Sequence, residues 1–223
     1  MKGHDLLSSD HPQPSQRTRE RIVVDAIISA DETLFFWING LAGKVPILDW
    51  LMKLLGDDYF VFAIMALILL FLWFGFRRAV QGETNQRAVL CAAGAVGLAA
   101  IVIHLLTVYG PDRLRPYDAY PDLVNLIAYA RTDPSFPSES AAVSFAFATG
   151  VWLMKRGRLA AAMFFVAVLL CLARVFVGVH YPLDIVAGVA IGTLASLAAF
   201  GILRIIEPLP TWFLKLMRIH YMA

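Results

Sequence analysis

Charge is scarce in this 223-residue chain: only 16% of its residues are Asp, Glu, Lys or Arg, where soluble domains carry roughly a quarter. That excludes an ordinary water-facing surface over most of the molecule. Cysteine is nearly absent. Cys91 and Cys171 each sit in an apolar run, with no CxxC or His/Cys spacing, which excludes a thiolate metal motif and leaves two buried structural thiols. The formal net charge is +2, and no basic run is interleaved with stacking aromatics, so nucleic acid is excluded as a partner. There is no internal repeat and no low-complexity tract. Residues 1–21 lack an apolar stretch, so they read as a polar tail and not as a cleavable signal peptide.

Apolar length is what the chain has in abundance: 59% of it is hydrophobic and the mean hydropathy is +0.68. A membrane-spanning helix needs about 20 mostly apolar residues. Five segments come close to that, at 58–76, 87–108, 138–154, 159–177 and 182–203. Segment 22–56 is interrupted by Asp25, Asp31 and Glu32, and reads as interfacial helix anchored by Trp37 and Trp50. Phe35, Phe36, Trp37 and Trp212 read as an interfacial aromatic belt. The tail at 207–223 is short, amphipathic and basic, which again suits an interface. The expectation is an all-α integral membrane protein with five spans in a core at 57–206, and interfacial helices at both ends. A sixth span through 22–41 is the alternative.

Loop charges orient this arrangement. Arg77, Arg78 and Arg87, then Lys155, Arg156 and Arg158, then Arg204, Lys215 and Arg218 put three connections in the cytoplasm by the positive-inside rule. Segments 109–137 and 178–181 then face outward. Five spans would put Arg17, Arg19 and Arg21 outside as well, against the rule; a sixth would bring them in.

Three polar clusters meet on the outward side. They are Asp112-Arg113-Leu114-Arg115-Pro116-Tyr117, then Ser135-Phe136-Pro137-Ser138-Glu139-Ser140, and the run from Arg174 to Asp184 containing His180. Ionisable groups beside apolar spans are costly to desolvate and are functional candidates by default. Arg115 and Arg174 offer planar forks suited to phosphoryl oxygens. Ser138 is a good N-cap, and the N–H groups after it would meet an anion at the positive helix end. Asp184, four residues after His180, can accept a hydrogen bond from one ring nitrogen and leave the other free to attack. Together the clusters suit a phosphate or diphosphate. Glu139 reads as a solvated first-turn carboxylate or a substitute proton donor. His104 reads as a packed histidine or a further phosphate-side group, and Arg113 and Arg131 as charges that attract a headgroup or a diphosphate and not as catalytic groups.

At these residues the chain resembles the type-2 phosphatidic-acid phosphatase superfamily, whose three-part signature reads KxxxxxxRP, PSGH and SRxxxxxHxxxD. Arg115-Pro116 matches the first part, Pro137-Ser138 the second, and Arg174, His180 and Asp184 the third, with Ala173 in place of the leading serine. The wording RVFVGVHYPLDIVAG and SFPSES is most similar to bacterial undecaprenyl-diphosphate phosphatases of the bacitracin-resistance type. The resemblance covers about 87–203. It implies a metal-independent hydrolase of the inner membrane, facing outward, that takes a polyprenyl diphosphate or another lipid phosphate and needs no cofactor. By position it makes His180 the nucleophile and Asp184 its orienting group, with Arg115 and Arg174 on phosphate and Ser138 assisting. Two positions depart from the signature. Val108 replaces its lysine, and Ser140 replaces the histidine that normally protonates the leaving oxygen. Loss of general acid catalysis costs roughly 10²–10⁴-fold, less for a diphosphate, whose leaving group is a phosphate monoester. Two further readings are a broader lipid phosphatase or phosphotransferase (for phosphatidic acid, phosphatidylglycerol phosphate or lipid A), and a lipid-phosphate binder or transporter with weakened catalysis.

Overall fold

The computed structural model describes residues 16–57, 59–75 and 79–219. The tail up to residue 15 lies outside the described residues, as do Arg77, Arg78 and the Arg218 side chain, whose charges help to orient the chain. Every regular element among the described residues is helical. In chain order these are α1 (Gln16–Asn39), α2 (Pro46–Leu55), α3 (Phe60–Phe74), α4 (Ala79–Tyr109), the single turn α5 (Pro116–Ala119), α6 (Glu139–Met154), α7 (Arg158–Phe176), α8 (Pro182–Ile205) and α9 (Leu209–Ile219).

α6 is the central helix, packed against α4, α7 and α8. Its sequence explains the position. Ser140, Ala141, Ala142, Ser144, Ala146, Ala148 and Gly150 are all buried, and such short side chains let neighbouring backbones approach closely. α8 answers with glycine: a Cβ added at Gly188 would lie 2.3 Å from the Ser138 carbonyl oxygen. Ser196 of α8 reinforces the contact by donating to the Ala146 carbonyl at 3.1 Å. α3 packs on this centre through Val61, Met65, Leu69 and Leu72, a stripe at helical spacing.

Three helical segments are long and apolar enough to cross a membrane, Gly82–Tyr109, Arg158–Phe176 and Pro182–Ile205; α2 and α3 taken as one bent span would make a fourth. The expected span at 138–154 is a 16-residue helix, about 24 Å long at 1.5 Å per residue. Segment 22–56 is divided: α1 is one helix of 24 residues, separate from α2. Asp31, Phe35 and Asn39 form a buried stripe on α1 at four-residue spacing, by which it packs against α7 and α8. Phe35 is therefore not part of an interfacial belt. Its ring meets that of Tyr181 at 5.2 Å, while Trp37 and Trp212 remain exposed. Asn39 donates to the carbonyls of Asn125 (3.0 Å) and Phe176 (2.9 Å).

These contacts bring the end of α1, the end of α7 and the start of α8 together. The start of α6 joins them, since the Ser138 N–H donates to the Asp184 carbonyl at 3.1 Å. At the other end of the bundle, Arg87 of α4 pairs with Glu207 and donates to Thr211, and Lys155 donates to Asn85. These contacts hold α9 and the α6–α7 turn near the start of α4.

Candidate active site

The turn between α7 and α8 builds the centre of the site. Gly178 has φ of +91°, in the left-handed region open to glycine, and the chain there reverses tightly enough to bring His180 back beneath Arg174. Pro182 then opens α8 with a φ suited to a first turn. Asp184 closes the cap, accepting the Tyr181 N–H at 2.8 Å.

His180 is 3% exposed. Its Nδ1 lies 2.9 Å from the Ser135 carbonyl oxygen. A carbonyl only accepts, so Nδ1 carries the proton and Nε2 keeps its lone pair. The expected direct bond to Asp184 is not made: the distance from Nδ1 to Oδ2 is 3.9 Å, beyond hydrogen-bonding range. Ser135 links the two instead, its hydroxyl donating to Asp184 Oδ2 at 2.6 Å. The imidazole is pushed down from 6.5 to about 4. Burial is the largest cause; the charges of Arg174 and Arg115 act the same way and Asp184 opposes them. A neutral ring at neutral pH follows.

The arginines are held more closely than their forks alone suggest. Arg115, 2% exposed, donates through Nε to the Asp133 carbonyl (2.9 Å), through Nη1 to the Val179 carbonyl (2.9 Å) and through Nη2 to the Asp133 carboxylate (2.8 Å). It ties the 131–137 segment to the α7–α8 turn. Arg174 donates from Nη1 to the Gly56 carbonyl at 2.8 Å. Arg113, expected to attract a headgroup or a diphosphate, is an inner member of the cluster. It bridges Asp184 (2.7 Å) and Asp31 (2.6 Å) and lies 4.0 Å over the Tyr181 ring, a cation–π contact. Burial works against its charge, but the two carboxylates outweigh it and its pKa is raised.

Ser138 is buried and caps α6, its hydroxyl accepting the Ala141 N–H at a long 3.4 Å. Pro137 and Ser140 are buried beside it, while Glu139 is exposed. His104 and Val108 are exposed on α4. His104 is therefore neither a packed core histidine nor a member of the cluster. Two members escape a reading by motif. Ser135 acts partly through its backbone. Asp31, 4% exposed, pairs with Arg113 and caps α8 by accepting the Leu183 N–H at 2.8 Å. In the sequence it stands only as one of several charges that interrupt the apolar run of α1.

Fold and site together define a membrane-embedded helical bundle with a buried, neutral histidine set among arginines. The chain belongs to the PAP2 superfamily, whose pattern matches residues 88–205, more than half of its length. Undecaprenyl-diphosphatase BcrC of Bacillus subtilis (strain 168) is 27% identical over 175 residues, covering 78% of this chain and 85% of the relative. The bacitracin transport permease protein BcrC of Bacillus licheniformis is 26% identical over 168 residues, 74% of this chain and 77% of the relative. Among solved structures, Aquifex aeolicus LpxE superposes with a TM-score of 0.60 at 28% identity, over 76% of this chain and 93% of its own.

Proposed function

We propose that this membrane phosphatase removes the terminal phosphate of a polyprenyl diphosphate, with undecaprenyl diphosphate as the first candidate, at the outer face of a bacterial inner membrane. The observation that carries the mechanism is the tautomer of His180: Nδ1 donates to a backbone carbonyl, so Nε2 carries a lone pair. Nε2 attacks the terminal phosphorus in line, and the bond from phosphorus to the bridging oxygen breaks, releasing polyprenyl phosphate. Water then cleaves the P–N bond; its oxygen and one proton leave with inorganic phosphate, its second proton passes to solvent, and Nε2 regains its lone pair. Arg174 and the capped start of α6 bind the phosphoryl oxygens. Arg115 holds the surrounding loops, and Asp184, acting through Ser135, orients the ring. Ser140 is a poor acid, which matters less for a phosphate leaving group than for an alkoxide.

The relative named as an undecaprenyl-diphosphatase supports the choice of lipid. The relative named as a bacitracin transport permease keeps a transport role as the second reading, here as a lipid-phosphate carrier with little turnover. One assay separates them. Purified protein given undecaprenyl diphosphate is expected to release phosphate, and His180→Ala to lower that rate by about a thousandfold or more. Wild-type turnover in the variant would sink the mechanism. Tight binding without release by the wild type would favour the carrier.

A further inference from the structure

A cavity of about 440 Å³ opens between α2, the 127–131 segment and the end of α7, a size usual for small-ligand sites. Its charged lining is Lys53, Asp57, Arg131 and Arg174, and Trp50 and Tyr129 also line it. Among the described residues, three cations and one carboxylate line the cavity. That carboxylate is already engaged, since Asp57 Oδ1 accepts the N–H groups of Tyr59 and Phe60 at 2.9 Å each and caps α3. Trp50 is 60% exposed and Tyr129 91% exposed, so aromatic faces stand beside the cationic groups at the cavity. A ligand with an anionic head and an apolar tail matches both parts. Arg174, itself 3% exposed, belongs to the cavity and to the His180 cluster alike. The cavity therefore adjoins the place where the terminal phosphate would react.

We propose that this cavity is a subsite for the inner phosphate of a lipid diphosphate, with Lys53 and Arg131 as the residues that select diphosphates over monophosphates. The proposal rests on the phosphatase reading above and goes further by naming what sets its substrate class. With the terminal phosphate at His180 and Arg174, the inner phosphate one bridging oxygen away meets Lys53 and Arg131. A phosphate monoester has an alkyl oxygen there and gains nothing from them. The same two cations would stabilise the charge that develops on the leaving phosphate as the bridging bond breaks. They would do electrostatically what the histidine absent at position 140 does by proton transfer.

The test is the ratio of kcat/KM for undecaprenyl diphosphate to that for phosphatidic acid in the same detergent, for the wild type, Lys53→Met, Arg131→Gln and the double variant. The ratio is expected to fall about tenfold per charge removed, as close charge pairs at binding sites do. An unchanged ratio overturns the proposal, including the case in which both substrates weaken equally. Lys53 is exposed, so Lys53→Met carries the test if the double variant does not fold. If the wild type releases no phosphate from the diphosphate, the phosphatase reading has failed on its own. Binding of inorganic pyrophosphate and orthophosphate to the His180→Ala protein then decides the subsite. Pyrophosphate affinity lowered about tenfold by Lys53→Met, with orthophosphate affinity unmoved, supports it. Equal changes for both anions reject it.

Discussion

His180 takes a backbone oxygen as its orienting partner, and this governs how it responds to mutation and to pH. Asp184 reaches the ring only through Ser135, whose hydroxyl and carbonyl contact the carboxylate and the imidazole respectively. Ser135→Ala keeps the carbonyl but removes a buried hydrogen bond of about 1–3 kcal/mol. Its kcat is expected to fall about tenfold with KM little changed, and Ser135→Thr to recover most of the loss. Steady-state kinetics on both variants would check this; a wild-type kcat in Ser135→Ala would reject the linkage. The pH behaviour has a definite sign. Burial pushes the folded ring down to about 4, below its ordinary 6.5, so the proposed nucleophile stays neutral until the solution is distinctly acid. The acid limb of kcat/KM is expected near pH 4 to 5 and not near 6.5. The same shift makes the folded state the poorer proton acceptor. The stability this group contributes is complete above about 6.5 and is lost as pH falls toward 4. The third signature cluster is legible in the sequence as Arg174, His180 and Asp184. Ser135 is legible only as the start of the second polar cluster; its bond to His180 is not, because a backbone carbonyl carries no residue identity.

At the scale of elements, the contact between α6 and α8 positions the site, since it sets Ser138 beside Asp184. Gly188 permits that approach. A methyl group there would stand 2.3 Å from the Ser138 carbonyl and 2.8 Å from the Ala141 Cβ. Backbone atoms cannot rotate out of the way, so Gly188→Ala is expected to lower stability by about 1–3 kcal/mol or more. A lowered Tm in detergent, together with lost phosphatase activity, would be its signature; an unchanged Tm would mean that the helices separate without cost. α1 shows where element-level reading falls short. Asp31 and Glu32 interrupt the hydropathy of 22–41 as a sequence, yet in the fold Asp31 is a buried partner of Arg113 and Glu32 accepts the Tyr120 hydroxyl at 2.8 Å. Their cost in an apolar helix depends on partners more than 80 residues away. Hydropathy, which treats each residue alone, has no means of representing them.

For the molecule as a whole, helix ends alternate between the two ends of the bundle. α1, α4 and α7 arrive at the site, and α3, α6 and α8 lead away from it. Six crossings would set Arg17, Arg19 and Arg21 on the same side as Lys155, Arg156, Arg158 and Arg204, in keeping with the positive-inside rule. Single cysteines at residue 17 and at residue 156, in a protein with Cys91 and Cys171 replaced, are expected to resist a membrane-impermeant thiol reagent added outside intact cells. One at residue 129 is expected to react. Labelling at 17 but not at 156 would restore five crossings, with α1 at the surface.

Apolar length and the scarcity of charge determine from the sequence alone that this is a helical membrane protein, and the spacing of Arg174, His180 and Asp184 marks its candidate site. Each of those properties is local, and each is expressed through the period of a helix or the cost of a charge. The tertiary structure alone decided which groups meet. It put Ser135 between His180 and Asp184, set Arg113 on Asp31 and Asp184, left His104 outside the cluster, and brought Lys53 and Arg131 to one cavity with Arg174. Those contacts join distant parts of the chain, and only close packing of small-residue helices brings them within a few ångströms.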